Sequence, residues 1–363
     1  MAGSACRAKG LFFVLFGRKR FHRPPNPSMP SAMRRIAAIL FLYVLLINAP
    51  AARPDTPLPP TPLRVTAQPL PLPPQAARSY GPLRLTGLWR LTGDHKAFGG
   101  ISALLVEEDG RFLALADSGE TTHFSLTGGP ARIAALPRTP ATGTEPRWKQ
   151  DSESMARDPH SGRIWVGFER VQRICRYAPG LTRAEACVEP PALARWPEEG
   201  SLESLVRLGD GRFLAISERA SAPGGGFDVL LWAGDPVDVA TPPPVHLIYR
   251  GPPGYRPTDA LWLGGDRLLV LERRLTLAEG FTARLALVRM PPLRAGAVLV
   301  GEPIADFRRP GPVDNLEALA LGRDAAGKPL LYIASDDNRL FLQRTLLFRF
   351  ALPEDWVRDA PAP

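Results

Sequence analysis

One pattern is written five times along this chain, and it leaves few folds open. An acidic or small residue precedes an apolar run, a turn bearing glycine follows, and a second apolar run ends in an acid. The copies are GGISALLVEEDGRFLALADSG (99–119), DSESMARDPHSGRIWVGFER (151–170), SLESLVRLGDGRFLAISER (201–219), PTDALWLGGDRLLVLERR (257–274) and DNLEALALGRDAAGKPLLYIASDD (314–337). Alignment places Ser102, Glu153, Glu203, Asp259 and Glu317 in one column, and Asp117, Glu169, Glu218, Glu272 and Asp336 in a second. Steps along the first column are 51, 50, 56 and 58 residues. A strand-built repeat of that length belongs to the blades of a propeller or the rungs of a solenoid.

The ends of the array favour the propeller. The stretch 83–91 (LRLTGLWRL) alternates as a strand does and lacks a partner nearby, while 345–352 (TLLFRFAL) is another such strand at the far end. Pairing first and last strands closes a ring and hides a sheet edge. The expected fold is therefore all-β, a propeller closed by its N- and C-terminal strands. Five repeats plus a composite from the two ends predict six blades, with five as the alternative. About 280 residues after Tyr80, at roughly 50 per blade, suit either number.

Upstream lie two segments of another kind. Arg34 and Arg35 precede an apolar run, 36–47 (IAAILFLYVLLI), which is followed by Asn48-Ala49-Pro50-Ala51. A basic start, about a dozen apolar residues and an A-x-A site describe a secretory signal, with its core at 33–51 inside an N-terminal extension of 1–51. Cleavage after Ala51 and retention as an uncleaved anchor are both open, with Met1 or Met33 as the start. The run is short for a membrane span, which takes about 20 residues. Residues 52–79 hold nine prolines and read as an extended linker, so the folded domain is expected over 80–363. The expected location is periplasmic or secreted, with the membrane met only through the leader, and the expected state is a monomer.

The net charge of +9 does not mark a nucleic-acid binder. Residues 1–35 hold eight Lys and Arg and no acid, which leaves +1 for the rest of the chain. Cys6 would leave with the leader. Cys175 and Cys187 remain as a pair flanking a turn on the outer side of the second repeat, either bonded or as two small strand residues that never meet.

The pieces GGISAL (99–104), DSESMARDP with GRIWVGFER (151–170), SLESL with GRFLAISER (201–219), PTDALWL with LLVLERR (257–274), DNLEALA (314–320) and SDDN followed by QRTLLFRF (335–350) run in a specific order. At these residues the sequence resembles the phytase-like family, whose members carry the label "esterase-like activity of phytase". The resemblance spans about Tyr80 to Leu352. It implies an exported β-propeller and the hydrolysis of esters or phosphoesters, with a small-molecule ester as substrate.

Equivalent positions of a propeller converge around its axis. Glu153, Glu203, Asp259 and Glu317 are therefore expected to form a ring of carboxylates, costly unless a cation or basic groups offset it. Hard oxygen donors in a flexible ring suit Ca2+. Their other role would be structural, accepting backbone N–H bonds from the next blade. The Glu-Arg repeats supply Arg170, Arg219 and Arg273 as candidate substrate contacts, because guanidinium forks fit phosphate oxygens, or else as inter-blade ion pairs. Asp336-Asp337-Asn338 reads as an oxygen-rich loop or a solvated turn. No residue is assigned as nucleophile. There is no G-x-S-x-G elbow, Ser118 does not fit one, and no H-E-x-x-H or paired metal-spacing histidines occur. His95, His123, His160 and His246 are expected in loops or at the surface. A non-catalytic propeller binding a ligand or partner at the cell envelope stands as the alternative function, and a lactonase-like propeller with a central cation as a third.

Overall fold

The computed structural model describes residues 57–71, 80–146 and 149–357. The leader at 1–51 lies outside the described residues. Each repeat forms an antiparallel meander of four strands. The first runs Ile101–Val106, Phe112–Ala116, Glu120–Phe124 and Ala131–Ala135; the second Ser152–Arg157, Ile164–Phe168, Arg173–Tyr177 and Ala184–Val188. The third runs Ser204–Arg207, Phe213–Ser221, Phe227–Trp232 and Val245–Arg250; the fourth Arg256–Gly264, Arg267–Thr276, Gly280–Arg289 and Val298–Phe307. The fifth opens with Asn315–Arg323, Pro329–Asp336 and Thr345–Ala351. Fully apolar second strands such as Phe112–Ala116 are buried on both faces, as a strand sandwiched between neighbouring sheets must be.

A tight turn joins the first two strands of each repeat. Gly110 makes one of them at φ +78°, a conformation that L side chains rarely adopt. A Cβ there would meet nothing within 4 Å, so the dihedral alone selects glycine.

The units form a circle rather than a row. Their first strands touch in the order first, second, third, fourth, fifth and back to first. Apolar clusters fill each of the gaps. Leu113, Val166 and Tyr177 pack between units one and two, Trp165, Leu202 and Phe213 between two and three, and Ile216, Leu247 and Val270 between three and four. Leu271, Phe307 and Phe348 fill the gap between units four and five. Phe112, Tyr332 and Leu347 fill the gap between five and one, which closes the ring. The chain is an all-β propeller.

Two expectations change. No separate composite unit is built from the chain's ends among the described residues. Arg84–Gly93 does pair with Thr345–Ala351, as expected, but it does so as the fourth strand of the fifth sheet. Within the Pro-rich segment read as a linker, the described residues 57–71 form strands. Thr61–Leu63 pairs with Ala131–Ala135 at the outer edge of the first sheet, and Val65–Pro69 pairs with Arg84–Gly93 at the outer edge of the fifth. Leu63 and Val65 enter the cluster between those two units, so the segment straps the closure of the ring. Edge strands tolerate proline because their outward N–H has no ladder partner to lose.

Candidate functional site: a ring of acids and arginines

The first strand of a unit carries an irregularity where the acids lie. Pairing with the second strand skips one residue between Ile101 and Ala103, Ser152 and Ser154, Pro257 and Asp259, and Leu316 and Ala318. The skipped residues are Ser102, Glu153, Thr258 and Glu317, and Glu203 precedes Ser204–Arg207 at the same level. A bulge of this kind re-aims a side chain that would otherwise lie in the pleat. Counting along the second strands makes Asp117, Glu169, Glu218, Arg273 and Asp336 equivalent in the same way.

The fourth repeat thus sits one residue away from its sequence alignment. Thr258 and Arg273, not Asp259 and Glu272, occupy the ring positions. A one-residue slip sends a side chain to the other face of its strand. Asp259 is buried and accepts hydrogen bonds from the backbone N–H groups of Ala260 (2.7 Å) and, in the next unit, Leu319 (2.6 Å). Glu272 is fully buried, accepts a hydrogen bond from the Tyr249 hydroxyl at 2.7 Å, and is pushed by burial up to about 7. The expected four-acid ring therefore loses Asp259, which locks two units together instead.

The remaining acids do converge. Burial and the charges of Glu169, Glu203, Asp151 and Glu317 raise the pKa of Glu153 well above the ordinary carboxylate value. Burial, Glu218, Glu169 and Glu317 do the same to Glu203 against the pull of Arg273. Burial with Glu317 and Asp117 raises Asp336. Glu169 is pushed up to about 7 by burial and Asp151, although the Gly200 and Ser201 N–H groups donate to it at 2.5 and 3.4 Å.

Arg273 is the cation on a ring position itself. It donates to Glu317 (2.5 Å), Glu218 (2.7 Å) and Asn315. Burial opposes its charge, but Glu317, Glu218 and Glu203 outweigh that and raise its pKa. Glu218 is correspondingly held below its usual value: burial would raise it, and Arg273 and Arg219 prevail. Arg170 and Arg219 lie farther out, about a third exposed or more. Arg170 pairs with Asp151, Arg219 with Glu218 at 2.9 Å, and both approach Glu199 at 3.8 and 3.7 Å. Column alignment missed Arg339, which donates to Asp117 at 3.0 Å and to Ser118 from the loop after the fifth repeat. The neighbouring Asp337 accepts from the Gly100 N–H at 2.9 Å, tying that loop to the first unit. An arginine outside the repeated segments leaves no signal in a column.

Within this crowd Asp151, Glu153 and Glu169 each place one carboxylate oxygen within 4.8 Å of the others, and all three belong to the second unit. Glu153 and Glu203 have no protein hydrogen-bond donor among the described residues, and neither carboxylate is sealed from solvent. An all-oxygen, multiply anionic set of this kind suits a hard divalent cation. Three of the four histidines are engaged elsewhere, His123 with Glu107 at 3.4 Å, His246 with Asp228 at 3.0 Å and His95 with the Ala97 N–H at 3.2 Å, and His160 is exposed. The Cys175–Cys187 disulfide crosses the outer strand pair of the second unit.

A family model described as "Phytase-like: Esterase-like activity of phytase" matches residues 96–339. No curated protein matches the chain. Among solved structures, the glutaminyl cyclase of Myxococcus xanthus is 12% identical, with 75% of this chain and 97% of that one covered at a TM-score of 0.42. The PQQ-bound aldose sugar dehydrogenase of Streptomyces coelicolor gives 12%, 75%, 98% and 0.42. A gluconolactonase of Xanthomonas campestris gives 14%, 83%, 99% and 0.36.

Proposed function

The chain belongs to the phytase-like family, and we propose that it is an exported, five-bladed propeller that hydrolyses phosphate esters or related esters at the ring of acids. The observation that carries this reading is the convergence of carboxylate oxygens of Asp151, Glu153 and Glu169 within 4.8 Å of one another, with Glu203 close enough to raise the pKa of Glu153. A cluster of buried like charges is costly, and a divalent cation such as Ca2+ would offset it. When bound, such an ion would polarise an ester or phosphoryl oxygen.

The chain's own residues divide the remaining work. Arg170 and Arg219, exposed at the rim, are placed to fork onto the oxygens of an anionic ester. Arg273 keeps Glu218 and Glu317 ionised beneath them. Glu203, its pKa raised well above the ordinary carboxylate value by burial and by Glu218 and Glu169, is placed to exchange a proton with an attacking water. The Cys175–Cys187 disulfide supports an oxidising compartment, periplasmic or extracellular.

The second reading is a non-catalytic binding propeller. It draws on Asp259 and Glu169, whose carboxylates accept backbone N–H groups of the next unit. Hydrolysis of p-nitrophenyl phosphate and p-nitrophenyl acetate, with Ca2+ and with EDTA, separates the two. The hydrolase reading expects Ca2+-dependent turnover lost in Glu153→Gln and Glu203→Gln at unchanged folding. Absence of metal-dependent turnover on both esters assigns the non-catalytic role.

A further inference from the structure

The same five strands carry a second array at their other end. Four positions beyond the bulge, the pairing registers make Val106, Arg157, Arg207, Trp262 and Leu321 equivalent. At roughly 3.3 Å per residue this level lies ~13 Å from the ring of acids. All five residues line a cavity of about 360 Å³, none of whose walls belongs to that ring. Behind the mouth the wall is apolar, built from Leu105, Met155, Leu205, Leu261 and Leu319. One carboxylate, that of Asp259, also borders the space, and it is already held by the Ala260 and Leu319 N–H groups.

Arg157 is the group left over. It is half-buried and donates to the Val106 carbonyl at 2.9 Å, but no carboxylate pairs with it among the described residues. Burial lowers its pKa, with the charges of Glu107 and Glu108 acting against that. Glu107 is engaged by His123 at 3.4 Å and Arg111 at 3.8 Å. Arg207, by contrast, is tied to Asp158 at 3.3 Å. A guanidinium that is partly desolvated and unpaired is a cost that a planar anion removes, two hydrogen bonds at a time. A largely apolar cleft with a few polar groups, here Arg157 beside the already engaged Arg207 and Asp259 and the exposed His160, is the usual form of a small-molecule site.

We propose that this cavity binds an apolar molecule ending in a carboxylate, of the fatty-acid kind, with its chain between the apolar strand walls and its head group on Arg157. The space, about 360 Å³, is of small-molecule size, and a medium-chain carboxylate such as decanoate serves as its probe. The inference does not rest on the hydrolase reading, since the two sites share no residue.

Decanoate, decanol and decyltrimethylammonium are titrated into the full chain at pH 7 by calorimetry. Decanoate is expected to bind one to one, with the alcohol and the cation at least tenfold weaker. Arg157→Gln should weaken decanoate at least tenfold and leave decanol unchanged, while Arg157→Lys keeps part of the preference. No binding of decanoate, equal affinity for decanol, or an unchanged affinity in Arg157→Gln overturns the proposal. If Arg157→Gln does not fold, the wild-type ranking of the three ligands and Arg157→Lys decide it.

Discussion

Arg273 donates to the Glu218 carboxylate at 2.7 Å, joining the fourth unit to the third, while its other nitrogen reaches Glu317 of the fifth. One side chain thus fastens three units where their acids crowd together. Removing one partner of a buried charge network leaves the others uncompensated and costs about 3–5 kcal/mol. Arg273→Gln should lose stability of that order in urea unfolding at pH 7, and Arg273→Lys should recover part of it. A change below ~1 kcal/mol would mean that solvent, not Arg273, carries the charge balance.

The raised carboxyl groups set a pH dependence. Glu169 is pushed up to about 7, and Glu317 and Asp314 to about 6. Between the ordinary carboxylate value and these figures, the folded chain holds protons that the unfolded chain has released. Stability of the cation-free protein should therefore be greatest toward pH 4.5 and fall as pH rises to about 7. The slope approaches ~1.4 kcal/mol per pH unit for each proton of difference. Urea midpoints between pH 5 and 8 in EDTA measure it; a rise across that window would contradict the burial of these acids.

Ca2+ should act in the opposite sense, because its ligands must be deprotonated. At a free concentration of 100 times its Kd, a single site adds about 2.7 kcal/mol. Melting temperature at pH 7.5 should rise with Ca2+ in the wild type and respond little in Glu153→Gln. That variant should also be more stable than the wild type in EDTA, since it removes one of the like charges crowded with Glu169, Glu203 and Asp151. A Ca2+ response undiminished in Glu153→Gln would place the ion elsewhere.

Asp259 should behave as a structural residue. Asp259→Ala leaves the Leu319 and Ala260 N–H groups without their acceptor, at a cost of about 1–3 kcal/mol. Its Ca2+-dependent rise in melting temperature should match that of the wild type. Loss of that increment, with folding intact, would return Asp259 to the cation site.

Much of this was readable in the chain itself. Period and strand character identified the propeller, because side chains alternate with period two and each unit must bury both faces of its middle strands. Glu153, Glu203 and Glu317 were legible because their repeats align residue for residue around them, and the Cys175–Cys187 pair because both residues flank one outer turn. The fourth repeat was misread by one residue: Asp259 and Glu272 look like the acids of the other repeats. Only strand pairing reveals that the skipped residue is Thr258 and that Arg273 fills the ring.

Local pattern thus determined which residues form strands and which positions recur, since both depend on neighbours a few residues apart. Pairing across the ring decided the rest. The strap of Thr61–Leu63 and Val65–Pro69 over the closure and the reach of Arg339 to Asp117 arise where the first and fifth units meet. Such contacts exist only once the circle has closed, because the groups that meet there share no repeat and no period.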